Sequence, residues 1–265
     1  MPFSPRPRTL QALLTAMAPM ALLLALASPA QALVSEDSIE RQAERAFEQM
    51  KRQLPISRDV AAQDYVSCVA VMLIDQLDEP YRSLDWEVVL FEQRAANAFA
   101  MPGGKIGVYT GIFDVAQDQD ALAAVIGHEI AHVVAQHSLK RARKQVRNQL
   151  LVAAASGMLG GGRGTATALS LGAELGLNRP YDRKQESHAD SEGLELMADA
   201  GFNPLASVQL WKLMMKKSPA GPPEFLSTHP HPDHRIDDLI SQLAKTLERY
   251  NEATAAGRVP ACERH

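Results

Sequence analysis

Two histidines and a glutamate lie close together at His128, Glu129 and His132, in the pattern H-E-x-x-H. Positions four apart lie on the same face of an α-helix, so both imidazoles can reach a single point. Zn²⁺ binds neutral imidazole readily, and the glutamate beside the first histidine can accept a proton from water that the metal activates. The pattern therefore predicts a metal site with a general base. A chance match on a buried helix is the alternative.

A third ligand would favour the metal site strongly, and Glu186 is in a suitable place to provide it. It lies in a later helical segment, 183–200, which follows a stretch long enough for the chain to return beside the first helix. Two histidines from one helix and a glutamate from another complete the ligand set of a catalytic zinc site, whose fourth position is left for water. Asp190 shares a helical face with Glu186 and can accept a hydrogen bond from a ligating histidine. We expect one Zn²⁺ per chain.

The elements before the metal motif read as a hairpin followed by a helix. The hairpin is indicated by two strand-like runs at 97–101 and 105–110, with the turn Pro-Gly-Gly between them. Residues 118–146 are expected to form the single helix that carries H-E-x-x-H. An edge strand in this place could pair with an extended peptide. An ordinary solvated hairpin is the alternative.

The remaining periodic segments have apolar residues at helical or strand spacing and no evident chemistry. We expect a strand at 85–91 and packing helices at 38–54, 60–77 and 204–216, with a last helix that opens after the His- and Pro-rich stretch 227–236. The glycine-rich stretch 156–164 fits a movable cover over the cleft or a surface that meets a membrane, and the sequence does not choose between them.

The N-terminal residues 1–32 have the composition of a cleaved signal sequence. Arg6 and Arg8 precede a long apolar run that contains Pro19, and Ala-Gln-Ala at 30–32 fits a cleavage site. We therefore expect export to a bacterial periplasm or to the outside of the cell. A membrane-spanning anchor is the alternative, and Pro19 and the cleavage pattern argue against it. The net charge of −4 becomes more negative once the two arginines are removed, which gives no reason to expect nucleic acid as a partner.

Two cysteines, Cys68 and Cys262, remain in the exported chain. An even pair in an oxidising compartment favours a disulfide, which would tie the C-terminal tail to an early helix. The alternative is one buried thiol and one in a frayed tail. A basic stretch at 140–147 fits a solvated helix end better than a site for anionic lipid headgroups.

Four sequence blocks together resemble the HtpX- and Oma-type gluzincin metallopeptidases of peptidase family M48. They are NAFAMPGG at 97–104, GHEIAH at 127–132, ESHAD at 186–190 and, as one block at 227–236, STHP followed by R-I. The resemblance covers about residues 35–250, and the chain is similar to the periplasmic, single-domain branch. It implies an α+β, mostly helical zincin-like fold with a small mixed β-sheet beside the H-E-x-x-H helix. It also implies a metallopeptidase domain at 33–250, followed by a tail at 251–265.

The resemblance assigns roles residue by residue. His128, His132 and Glu186 become the zinc ligands, and Glu129 becomes the catalytic base. Asp190 is given the role of proton donor in that family, whereas its position favours an orienting role. The strand residues Asn97, Ala98 and Phe99 are expected to bind substrate, with Asn97 near the metal.

The resemblance also implies that His229 lies near the cleft. This histidine is in a turn-rich segment that can move as a unit. It could donate a hydrogen bond to an oxyanion, or it could fill the fourth zinc position and keep the site latent. The latent ligand is the interpretation we favour, and we treat His231 and His234 as surface residues.

Two functions follow from this sequence. The first, which the resemblance implies, is a zinc endopeptidase that cleaves misfolded cell-envelope polypeptides, with peripheral association to the outer membrane or to membrane proteins left open. The second is a chaperone-like zinc protein that binds unfolded chains at the edge strand without cleavage. Glu129 favours the first, because binding alone needs no base.

Overall fold

The structure, a computed structural model, describes residues 34–158, 181–216, 224–229 and 234–264, without the side chains of 149–158 and 224. The predicted signal sequence and His231 lie outside this range. Of the glycine-rich stretch, only the backbone of 156–158 is described.

The described chain is mostly helical and has one small sheet, which confirms the predicted α+β class. In chain order, the elements are α1 (Glu36–Gln53), α2 (Val60–Ile74), β1 (Glu87–Phe91), β2 (Ala98–Met101), β3 (Lys105–Tyr109), a 3₁₀ turn (Thr110–Asp114), α3 (Gln119–Val134), α4 (His137–Met158), α5 (Arg183–Asp199), α6 (Leu205–Lys216), α7 (Glu224–Thr228) and α8 (Arg235–Ala255).

The sheet is mixed and has the order β1-β3-β2. β1 runs parallel to β3, and β2 runs antiparallel to it through the predicted hairpin, whose turn uses Gly103 and Gly104 at positive φ. Side chains alternate between the two faces of a strand. Phe91 faces the aromatic cluster with Phe47 of α1, whereas Leu90 faces the main core under α2 and α3.

Helix α3 is the centre of the main core. It packs against α2, α5, α6 and β2, and most of its residues are buried. Such a helix needs a defined start, and Asp118 supplies it by accepting the backbone N–H of Ala121 at 2.7 Å. α5 begins with a capping box between Asp182 and Gln185. These caps fix where the two helices that carry the motifs begin.

One predicted element is wrong in extent. The helix expected over 118–146 is interrupted, because Gln136 adopts a left-handed conformation with φ of 52°. α3 therefore ends at Val134, and α4 begins as a separate helix at His137. The short α7 was also not expected from the sequence.

The predicted disulfide is confirmed. Cys68 of α2 and Cys262 of the tail are bonded, across 194 residues of sequence. The tail is also held by Gln119, whose side chain donates to the carbonyl of Pro260 at 3.0 Å and accepts the N–H of Cys262 at 2.9 Å.

The chain divides into two compact units. The larger comprises residues 39–138 and the described residues from 181 onwards, and it contains the sheet and α3. The smaller contains residues 34–38 and 139–158, where Arg143 donates to the carbonyl of Val34 at 3.1 Å. Among the helices that the structure describes, we find none with the length and apolar character that a membrane span requires.

Candidate metal centre

Four buried side chains direct donor atoms to one point. His128 and His132 come from α3, Glu186 from the first turn of α5, and His229 from the end of α7. One ligand atom of each lies within 4.8 Å of one ligand atom of every other. Within the described residues, the other such cluster of potential ligands is Glu44, Glu48 and Glu87, which are partly exposed and paired with Lys51 and Lys105.

The spacing of these atoms fits a tetrahedral zinc ion. With metal–ligand bonds of about 2.0–2.1 Å, ligand atoms at the corners of a tetrahedron are about 3.3 Å apart. The Nε2 atoms of His128 and His132 are 3.1 Å apart, and Nδ1 of His229 lies 3.2 Å from Nε2 of His128. Glu186 Oε1 lies 3.2 Å from that Nδ1 and 3.6 Å from His132 Nε2. A set of three imidazoles and one carboxylate suits Zn²⁺ in its chemistry as well.

Carboxylates and histidines shift one another's pKa values at this centre. Burial lowers the pKa of His128, but the carboxylates of Asp190 and Glu186 outweigh it and raise that pKa to about 9. Burial would raise the pKa of Glu186, but hydrogen bonds with His128 and His229 hold it well below its usual range. Burial lowers the pKa of His132, and a charge on His128 lowers it further. The carboxylates of Asp190 and Glu186 therefore favour a positive charge at this centre.

Glu129 lies beside the centre and is almost completely buried. Its Oε2 accepts the backbone N–H of Ala100 at 3.1 Å, and its Oε1 lies 3.2 Å from Nε2 of His229. Burial raises the pKa of this carboxyl group, against the opposing effects of His229 and His128. A carboxylate with a raised pKa is suited to take up a proton near neutral pH.

Asp190 contacts His128 through Nδ1, the ring nitrogen that is not part of the ligand cluster. Its Oδ1 is 3.0 Å from Nδ1 of His128, and its Oδ2 accepts from Arg235 Nε at 2.5 Å. The same guanidinium donates to Glu186 Oε2 at 2.7 Å and lies over the ring of Trp211, 3.7 Å from its centroid. The geometry thus corresponds to the orienting role of Asp190, with Arg235 balancing both carboxylates.

The strand residues expected to bind substrate have different environments. Tyr109 N–H donates to Asn97 C=O, so residues 97, 99 and 101 hydrogen-bond with β3, and Ala98 and Ala100 direct their backbone groups to the outer edge. Phe99 is therefore not placed for backbone pairing with substrate, and its ring packs between Phe91 and Tyr109. The Asn97 side chain is buried.

Three contacts hold the segment that carries His229. The ring of Phe225 is stacked on that of His229 with centroids 4.5 Å apart, and the Phe225 N–H donates to Ala96 C=O at 3.4 Å, just before β2. Tyr181 N–H donates to the carbonyl of Thr228 at 3.4 Å. His234 is exposed, as expected for a surface residue.

Sequence reasoning missed three residues at the centre. Arg235 lies in the R-I pair without an evident role, and no motif marks His137 or Tyr181. His137 was hidden because a continuous helix would direct it away from His132. Only the five-residue spacing of two histidines around a break could have indicated it.

Comparison with known proteins agrees with this centre. The profile of peptidase family M48 matches residues 61–243, which include all four potential ligands. The mitochondrial metalloendopeptidase OMA1 of Schizosaccharomyces pombe is 38% identical over 168 residues, covering 60% of this chain and 47% of that protein.

Two further relatives have similar coverage. The human metalloendopeptidase OMA1 is 33% identical over 183 residues, which cover 63% of this chain and 35% of that protein. The putative beta-barrel assembly-enhancing protease of Vibrio cholerae is 29% identical over 199 residues, which cover 71% of this chain and 40% of that protein. The match thus spans half the length of these curated relatives or less.

Proposed function

The chain belongs to peptidase family M48, and on this premise we propose that it is a zinc-dependent endopeptidase that binds one Zn²⁺ per chain. The observation that carries the proposal is the set of four buried donor atoms at tetrahedral spacing, with the Glu129 carboxylate beside them. A structural zinc site needs no such carboxylate, whereas hydrolysis needs a base.

The protein's own contribution to hydrolysis is proton transfer and orientation. When bound, Zn²⁺ supplies Lewis-acid chemistry that polarises a peptide carbonyl and lowers the pKa of water. Glu129 accepts a proton from the attacking water and passes it to the leaving amine. The N–H of Ala100 holds Oε2, which leaves Oε1 to exchange the proton. Asp190 and Arg235 keep His128 and Glu186 in place.

The outer edge of β2 supplies the place for a polypeptide. β2 is an edge strand that packs beside α3, and Ala98 directs its N–H and C=O to that edge. An extended substrate paired there would have its backbone fixed beside the metal helix, independently of its side chains. This fits a peptidase that acts on unfolded chains of varied sequence.

We propose that the enzyme is latent while His229 occupies the ligand cluster. His229 Nδ1 lies within 3.2 Å of both His128 Nε2 and Glu186 Oε1, in the fourth corner of the tetrahedron. Its other nitrogen contacts the base. Substrate needs the same corner, so His229 has to leave before hydrolysis begins.

For the substrate class we propose misfolded cell-envelope proteins in the periplasm, which makes this a quality-control enzyme of the periplasmic branch. The signal-like residues 1–32 support export, and the disulfide supports an oxidising compartment. The name of one relative, a beta-barrel assembly-enhancing protease, supports a cell-envelope substrate. Peripheral association with the outer membrane stays a prediction.

The decisive experiment compares wild type with Glu129→Gln on an unfolded protein substrate, both as isolated and in a His229→Ala background that removes latency. Glu192→Gln, a half-exposed glutamate on α5, is the matched control. We expect one zinc per chain in every form that retains the metal ligands. In both backgrounds, we expect Glu129→Gln to lower turnover by about 10²–10⁴ and Glu192→Gln to leave it unchanged. A chelator should stop turnover in every form.

Other outcomes discriminate between the two functions. Suppression of substrate aggregation by Glu129→Gln at the wild-type level, with no cleavage by any form, would support the chaperone-like protein. Metal analysis without zinc in wild type, or with a full equivalent in the His128→Ala/His132→Ala double variant, would exclude the proposed ligands.

A further inference from the structure

The break between α3 and α4 places a second histidine against a metal ligand. On a continuous helix, residue 137 would be rotated by about 140° from residue 132 and would face away from it. Because Gln136 takes φ of 52°, the chain turns back, and His137 lies beside His132 with their Nδ1 atoms 2.8 Å apart. Both rings are buried, His132 with 1% and His137 with 3% of its surface exposed.

Two ring nitrogens at this distance form one hydrogen bond, in which one nitrogen donates and the other accepts. His132 directs Nε2 into the ligand cluster, 3.1 Å from Nε2 of His128. A neutral imidazole that binds a metal through Nε2 carries its hydrogen on Nδ1. Nδ1 of His132 is therefore the donor, and Nδ1 of His137 is the acceptor.

A ring stack and two further hydrogen bonds fix the same pair. The ring of Tyr181 lies parallel to that of His132, with centroids 3.7 Å apart, and covers one of its faces. The Tyr181 hydroxyl is 3.2 Å from Oγ of Ser138, next to His137. Gln185 Nε2 donates to the carbonyl of His137 at 3.0 Å. The start of α4 is thus bound to the start of α5, the helix that carries Glu186.

We propose that His137 is a positioning residue for His132. It accepts the Nδ1–H of His132 and so holds the lone pair of Nε2 towards the metal, while Tyr181 prevents the ring from tilting. The inference rests on the proposed zinc site and deepens it. Metal-binding histidines commonly donate their second N–H to a carboxylate or a carbonyl. Here a histidine imidazole, whose place depends on the helix break, accepts that bond.

The test measures zinc affinity of the full apo chain by competition with a chromophoric chelator. His137→Phe keeps a ring but has no acceptor, and His137→Asn places an amide oxygen near the former Nδ1. His188→Phe is the matched control, because that histidine is half-exposed and its ring lies 5.4 Å from that of His137. We expect affinity to fall by about 10–100-fold in His137→Phe, to recover largely in His137→Asn, and to stay unchanged in His188→Phe.

The outcomes separate this inference from the proposed function. If wild type itself binds no zinc, the proposed function fails. If wild type binds zinc and His137→Phe binds it equally well, or if His137→Asn is as weak as His137→Phe, only the positioning role fails. The visible spectrum of the Co²⁺ form should shift in His137→Phe and return in His137→Asn, a result that a merely structural role would not produce.

A measurement on wild type removes any dependence on how the variants fold. In the zinc-loaded protein, long-range ¹H–¹⁵N spectra of the histidine rings should show hydrogen on Nδ1 of His132 and none on Nδ1 of His137. Hydrogen on Nδ1 of His137 would overturn the inference.

Discussion

Glu129 is held between two groups that act on it differently. The N–H of Ala100 orients one carboxylate oxygen without supplying a full charge, whereas His229 contacts the other oxygen and lies in the ligand cluster as well. A single histidine can therefore restrain both the base and the metal. Its removal should free both together.

This gives a prediction for His229→Ala, assayed with zinc content matched to wild type. We expect turnover to stay the same or rise, because the fourth position becomes free for water and substrate. Zinc affinity should fall, since one of four ligands is lost. His234→Ala is the control, an exposed histidine a few residues along the chain. A hundredfold loss of turnover would instead identify His229 as an oxyanion donor.

A second prediction at this scale concerns Tyr65, which is buried in α2 beside Phe113. Burial raises its pKa to about 12, and the charges of Asp118 and Asp120 act in the same direction. An acid with a raised folded-state pKa contributes stability that is present below its unfolded pKa of about 10 and is lost as pH rises towards 12. The unfolding free energy of Tyr65→Phe should therefore vary less than that of wild type between pH 10 and 12, as urea titrations can measure. Equal slopes would contradict the buried phenol.

At the scale of elements, the metal ligands depend on the close approach of α3 and α5. Gly127 and Gly193 face each other there: a Cβ on Gly193 would lie 2.8 Å from the backbone nitrogen of His128. Only with such small residues can α5 lie near enough for Glu186 and Asp190 to reach His128. The glycine pair is therefore part of the site, although it has no chemistry of its own.

Gly193→Ala should accordingly weaken both the fold and the site. Alanine favours a helix by up to about 1 kcal/mol, but the clash is with backbone atoms of α3, which cannot move aside cheaply. We expect a net loss of about 1–3 kcal/mol in urea unfolding and weaker zinc binding, because α5 is displaced. Glu192→Ala on the exposed side of α5 should change neither. Unaltered zinc affinity in Gly193→Ala would show that the helices have room to adjust.

The elements that the sequence predicted well are those with local signals. Pro-Gly-Gly marked the hairpin, and the spacing of His128, Glu129 and His132 marked the site, because both patterns act over a few residues. The break at Gln136 has no such signal: glutamine is not a residue that favours positive φ, so its conformation depends on the packing around it. Alternate residues of β2 hydrogen-bond with β3, and the others face the outer edge. Ala98 faces the edge and Phe99 does not, and composition does not reveal which residues do so.

Contacts between distant segments were the least predictable part. Arg235 neutralises Glu186 and Asp190 across more than forty residues of chain, and its burial cannot be read from a block such as R-I. The disulfide was the exception, because only two cysteines remain and only one pair can form.

At the scale of the whole molecule, that disulfide joins the tail to the core near the start of the metal helix. Cys68 lies on α2, and Cys262 is held by Gln119, the first residue of α3, so the tail, α2 and α3 meet in one place. The bond closes most of the chain into a loop, which restricts the unfolded state strongly. Its main effect should therefore be on stability rather than on the geometry of the ligands.

The Cys68→Ser/Cys262→Ser variant should lose about 2–4 kcal/mol of unfolding free energy and still bind zinc. Reduced wild type should match it, because both lack the same cross-link, and this agreement controls for the serine substitutions themselves. Zinc binding should persist because His128 and Glu186 are fixed by the packing of α3 against α5 rather than by the tail. Equal stability of oxidised and reduced wild type would show that the tail adds nothing. Loss of zinc on reduction would show instead that the tail restrains the metal helix through Gln119.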